Sequence, residues 1–183
     1  MHAVMSRYVQ ALLDVDLRSS SNGSSKKTQS RVRFLFMTRH PLANALAHRH
    51  FLPDQRHITL PTLFENWLAV SAYIAEDQPF LAHSLLVKLE ELTANPTQVL
   101  HRVRRFLDMP EEMLVHEASD VVVHSDPNAK YERQYCELLR TYASWREQHL
   151  LLRRDFGDAV KNQGYDLDLW SCIAAALAPG KSA

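Results

Sequence analysis

The stretch Arg33-Phe34-Leu35-Phe36-Met37-Thr38-Arg39-His40-Pro41-Leu42 decides how the chain is read. A short, aromatic-containing apolar run ends in an arginine and a proline, and a helix-like segment from Ala43 to His50 follows. Apolar runs of this length predict a strand buried in a parallel sheet. A proline suits the first turn of the next helix, where its missing amide would have had no partner. In open α/β sheets, ligands sit beyond the carboxyl ends of strands, and the helix N-termini there favour anions. Arg39 at that junction predicts a grip on a phosphate or sulfate through its planar fork of donors.

Working outward, Leu85 to Leu89 is a second apolar run, bounded by Glu90-Glu91, and reads as another buried strand. Helical spacing marks residues 3–14, through Val4, Met5, Tyr8, Leu12 and Leu13. Pro61 opens a helix with Phe64, Trp67, Leu68, Ser71 and Ile74 on one face. Asn95-Pro96 starts another, with Val99, Leu100, Val103, Phe106 and Leu107 as its inner face, and Asp108-Met109-Pro110 stops it. Tyr131, Tyr135, Leu138, Tyr142, Trp145 and His149 keep a period near 3.5, which predicts one long helix over about 130–150 with an aromatic stripe facing the core. A further helix, Leu151 to Lys161, ends at Gln163-Gly164, and a last one spans Leu169 to Leu177. Residues 18–30 are serine-rich with almost nothing to bury and predict a flexible surface loop.

The 183 residues are enough for one domain with a real core. Lysine plus arginine and aspartate plus glutamate number 21 each, so no bulk attraction to nucleic acid is expected. The short basic patch Lys26-Lys27 with Arg31 and Arg33 reads as a solvated loop. No segment approaches the roughly 20 apolar residues of a membrane span, and Met1 to Leu17 lacks a signal-peptide core. Cys136 and Cys172, only two and in helix-like contexts, predict buried thiols rather than a disulfide framework. No metal site is expected: His48 and His50 are two apart on a helix, and no cysteine or carboxylate completes a set with His57. His2 sits at a chain end that frays. Glu90 and Glu91, adjacent on a strand, would face opposite ways and so fit a structural role better than acid-base work.

Four segments, in order, resemble the sulfotransferase superfamily: the strand-Arg39-x-Pro41 turn, LLVKLEELTANPTQVLHRVRRFL from Leu85 to Leu107, Asp126-Pro127-Asn128-Ala129-Lys130-Tyr131, and Gly164-Tyr165-Asp166-Leu167. The last two are similar to C-terminal landmarks of glycan-type members. The resemblance implies a P-loop-like α/β sulfotransferase fold, N-terminally incomplete, with a small parallel sheet and many flanking helices. It implies 3′-phosphoadenosine 5′-phosphosulfate as donor, with Arg39 on its 3′-phosphate, and a glycan, protein or small-molecule acceptor. It implies a Golgi-lumen or cytoplasmic setting.

The chain departs from the family in places. Ala47 stands where members place a serine that shares the 3′-phosphate, and Leu89 where an aromatic residue precedes the paired acids. The glycine- and Ser/Thr-rich loop for the 5′-phosphosulfate has no counterpart in Met1 to Gln29, and the family's catalytic lysine would fall before Met1. Residues 1–183 therefore read as a single sulfotransferase-like domain, the C-terminal two-thirds of one, with impaired catalysis and no assignable catalytic residue. The alternative is a non-catalytic, mostly helical binding or structural protein built on the same scaffold.

Overall fold

The computed structural model describes Ala11 and residues 32–51, 57–110 and 127–177. The expected helix over 3–14 and the serine-rich run 18–30, with Lys26, Lys27 and His2, otherwise lie outside the described residues. The described chain is mostly helical, with one two-stranded parallel sheet, and so belongs to the general α/β class. Its elements are β1 (Phe34–Thr38), α1 (Pro41–Phe51), α2 (Leu60–Asp77), a 3-10 turn (Gln78–Phe80), β2 (Ser84–Lys88), α3 (Leu89–Ala94), α4 (Pro96–Leu107), α5 (Pro127–Thr141), α6 (Ala143–Asn162) and α7 (Ser171–Leu177). They group into two compact units, one holding β1 and, of the described residues, 69–110, the other 39–51, 57–68 and 127–177.

In the first unit β1 and β2 pair in parallel, from Phe34 with Ser84 to Thr38 with Lys88. The strands are not buried on both faces as expected: Leu35 and Met37 are 44% and 57% exposed, while Val87 is buried. Two strands leave each other's faces only partly covered, which many-stranded parallel sheets avoid. Glu90 and Glu91 belong to the first turn of α3 and not to a strand, so the opposite-face reading does not apply to them. Acidic side chains suit that position because the helix N-terminus carries partial positive charge. Glu91 also accepts a bond from Arg102 of α4 at 2.8 Å. Asn95 and Pro96 start α4 as expected, although the Asn95 side chain caps nothing. Asp108 ends it in the left-handed region (φ 52°) and is bonded by Arg33, which also donates to the Phe106 carbonyl. Arg33 holds the Asp108 carboxyl below its ordinary range. Of the expected inner face of α4 only Val99 is fully buried, and Leu107 is exposed.

The main core lies in the second unit. Leu42, Ala43, Ala45 and Leu46 of α1 form one cluster with Leu60, Leu63, Phe64 and Trp67 of α2, Tyr131, Tyr135 and Leu139 of α5, and Leu152 and Val160 of α6. The expected helix over 130–150 is instead two helices, broken at Tyr142, whose backbone is extended (φ −119°, ψ 121°). The break is stabilised from the far side: Arg146 donates to the carbonyls of Leu139 at 2.7 Å and Arg140 at 3.2 Å. These are carbonyls that a helix end leaves without partners. The aromatic stripe divides accordingly, with Tyr131 and Tyr135 in the core and Tyr142 exposed.

At the other end of α6, the amides of Tyr165 and Gly164 bond the carbonyls of Val160 and Lys161, with Gly164 at φ 74°. That is a Schellman ending, and glycine takes its left-handed position without penalty. It turns the chain into the segment Tyr165–Trp170, which returns to the core through Tyr165, Leu167 and Trp170. α7 follows and is tied to α5 by a disulfide between Cys136 and Cys172, with Cα atoms 5.7 Å apart. The reading of these cysteines as free thiols is corrected: residues 36 apart in sequence become neighbours because α5 and α7 pack together. Sequence spacing carries no sign of that.

Candidate functional site

Arg39 and His40 link the end of β1 to the start of α1. The His40 carbonyl accepts the first helical bond, from the Asn44 amide at 2.9 Å, and Pro41 occupies the first turn. The strand-to-helix junction is thus built as its residues predict, and it places Arg39 beside a helix N-terminus. Two residues of α5 hold the side chain. Its Nε donates to Oδ1 of Asn128 at 2.6 Å, and its guanidinium lies over the Tyr131 ring at 4.8 Å from the centroid. Asn128 is buried at the start of α5, so the segment Pro127–Tyr131 meets the Arg39 turn through both contacts. The backbone is pinned as well: Trp67 Nε1 of α2 donates to the Arg39 carbonyl at 3.0 Å.

His40, not singled out from the sequence, is 2% exposed. Its Nε2 donates to the Asp166 carbonyl at 2.9 Å, its ring stacks on Trp170 (4.9 Å, 28°), and it meets Tyr165 edge-on. The Gly164–Leu167 segment is thereby brought to the same turn as Arg39. Two of the four segments quoted together from the sequence, at Asn128–Tyr131 and Tyr165–Asp166, converge on the third at Arg39–His40. Ala47 lies two turns further along α1, partly buried against the core.

A second polar group is fully buried in the same unit. His149 accepts from the Tyr135 hydroxyl at Nδ1 (3.0 Å) and donates from Nε2 to Asp168 at 3.3 Å, and Arg153 reaches Asp168 at 3.1 Å. Burial lowers the His149 pKa, against the opposing pull of the Asp168 carboxylate, and burial also raises that of Tyr135. With both side chains at 0% exposure this chain of bonds is structural, a satisfied polar network inside the core. Its one sequence signal was a histidine in the apolar phase of an otherwise aromatic helix.

Among the described residues no group of three histidine, cysteine or acidic side chains is placed to hold a metal ion. Among them, too, no helix is long and apolar enough to cross a membrane. Compared with protein-family models, with curated proteins and with solved structures, the chain matches none.

Proposed function

We propose that the chain is the nucleotide-gripping part of a sulfotransferase with a P-loop-like fold, and that Arg39 contacts the 3′-phosphate of 3′-phosphoadenosine 5′-phosphosulfate. The observation that carries this reading is the way Arg39 is held. Asn128 fixes Nε and Tyr131 supports the face of the guanidinium, so little rotamer freedom is left to lose when an anion binds. The first amides of α1 lie next to it and add their own partial positive charge. The order of the four sequence segments suggests the family, and the meeting of three of them at the Arg39–His40 turn supports using it.

In such a reaction the donor's sulfur–oxygen bond breaks, a sulfur–oxygen bond forms to an acceptor hydroxyl or a sulfur–nitrogen bond to an amine, the acceptor proton passes to a base, and adenosine 3′,5′-bisphosphate leaves. Catalysis rests on positioning and on stabilising charge at the transferred oxygens. No described residue is assigned as the base.

A second reading is favoured by the same contact. With Nε already bonded to a buried asparagine, and Ala47 where a phosphate-sharing serine is expected, Arg39 would serve as a strut between the turn before α1 and α5 in a non-catalytic binding or structural protein.

Calorimetric titration with adenosine 3′,5′-bisphosphate separates the two. The first reading expects binding by the wild type and a loss of about tenfold or more in Arg39→Ala, the scale of a charge-assisted bond, with Arg39→Lys in between. No binding by the wild type, or equal binding by a folded Arg39→Ala protein, refutes it. The second reading expects Arg39→Ala and Asn128→Ala to lose similar stability with no nucleotide effect in either.

A further inference from the structure

A cleft of about 340 Å³ opens at the other end of α1, lined by Leu46, Arg49 and His50 of that helix, Gln134 and Leu138 of α5, and Trp145 of α6. Its size is that of a small-molecule site. Leu46, Leu138 and the Trp145 ring supply the apolar part of its lining. Arg49 is its fixed charge. One guanidinium nitrogen donates to the Ile58 carbonyl at 3.0 Å, and the group lies over the Trp145 ring at 5.8 Å. Nε is buried and, among the described residues, faces no acceptor; nor does any carboxylate pair with the group. A half-buried cation without a counter-charge is unusual, because desolvation is normally offset by an anion. Burial pulls the Arg49 pKa below its ordinary value, in keeping with that uncompensated state.

We propose that this cleft binds a small oxyanion carried on an apolar ring or chain, the anion on the Arg49 guanidinium and the apolar body between Leu46, Leu138 and Trp145. The site is independent of the Arg39 reading, since it is built from the last turn of α1 and not the first. The carbonyls at that helix end disfavour an anion, but their partial charge is weaker than a direct charge-assisted bond to arginine. A neutral ligand would leave the cation unmatched, and a bare inorganic anion would leave the tryptophan wall unused. His50 and Gln134 at the exposed rim add hydrogen-bonding groups next to the anion's position.

The test is a set of titrations followed by the Trp145 indole N–H resonance, assigned with Trp145→Phe. Benzoate and phenyl phosphate are the anionic probes and distinguish a carboxylate from a phosphate ester. Benzyl alcohol is the neutral control and inorganic phosphate the bare anion. The expected result is a saturable shift with at least one anionic probe, about tenfold or more weaker in Arg49→Gln. Benzyl alcohol and inorganic phosphate should each bind more weakly than that probe. The proposal is overturned if neither anionic probe moves the resonance, if benzyl alcohol binds as well, if inorganic phosphate matches the anionic probe, or if a folded Arg49→Gln protein binds unchanged. Should Arg49→Gln fail to fold, Arg49→Lys and the charged-against-neutral comparison on the wild type decide the matter.

Discussion

Opening the Cys136–Cys172 disulfide removes a constraint on the unfolded chain whose size follows from the structure. The bond closes a loop between residues 36 apart. The chain-entropy relation for a loop of that length corresponds to about 3.8 kcal/mol at 25 °C. For a chain of 183 residues each kcal/mol moves the melting temperature by about 2–4 °C, so the expected drop is about 8–15 °C. The drop should appear equally in wild-type protein with dithiothreitol and in the double variant Cys136→Ala/Cys172→Ala without it. Tryptophan fluorescence is the right probe, because Trp67, Trp145 and Trp170 all lie in the unit that contains the bond. Thiol titration of the denatured, unreduced protein should find no free thiol. Two titratable thiols, or melting curves that coincide with and without reductant, would refute both the pairing and the packing of α7 on α5.

Two further outcomes follow from the same unit. His149 has a pKa lowered from 6.5 by burial, so the unfolded chain takes up the proton first as pH falls. The stability held by neutral His149 is present above about pH 6.5 and is lost as pH falls through the lower folded value, at no more than about 1.4 kcal/mol per pH unit for one proton. Urea midpoints measured between pH 7.5 and 5 should fall for the wild type and flatten in His149→Gln; parallel slopes would assign the effect elsewhere. Leu139 is fully buried in the cluster, so Leu139→Ala should cost about 2–5 kcal/mol in urea unfolding. Leu151→Ala, at a half-exposed position of α6, should stay within about 0.5 kcal/mol. Similar losses at the two sites would mean that the core is misplaced.

What could be read from the sequence was local. The β1–α1 junction was visible because an apolar run, an arginine and a proline each restrict the backbone on their own. The end of α6 was visible because Gln163-Gly164 supplies a residue that tolerates positive φ. The break at Tyr142 was not, since the periodicity of the aromatic residues continues through it and the stabilising donor is Arg146, a charged residue that no pattern of apolar positions weighs. The Cys136–Cys172 pairing was missed for the same reason: two cysteines on helical faces look alike whether or not the helices pack. His40 could not be found alone, because its partner is a carbonyl 126 residues away. Arg39 stood out as the end of an apolar run before a proline, but what surrounds it was read only as a row of similar segments, and their meeting at Asn128 and Tyr131 is a property of the fold.

The arginine just before α1 and the one in its last turn show why one was legible and the other was not, and what each is suited to. Both have a guanidinium laid on an aromatic face, Arg39 on Tyr131 and Arg49 on Trp145, and both donate to a fixed oxygen, of Asn128 and of Ile58. They stand ten residues apart, Arg39 just before the first turn of α1 and Arg49 in its last. The helix dipole therefore acts on them with opposite sign. At Arg39 it adds to the positive field, which favours a multiply charged group such as a phosphate. At Arg49 the helix carbonyls subtract from it, and Leu46, Leu138 and Trp145 favour an anion carried on an apolar body. Only the first position is announced by a proline at a helix start. The second depends on three helices closing around an arginine in a last turn, where a basic residue is commonplace for reasons that have nothing to do with ligands.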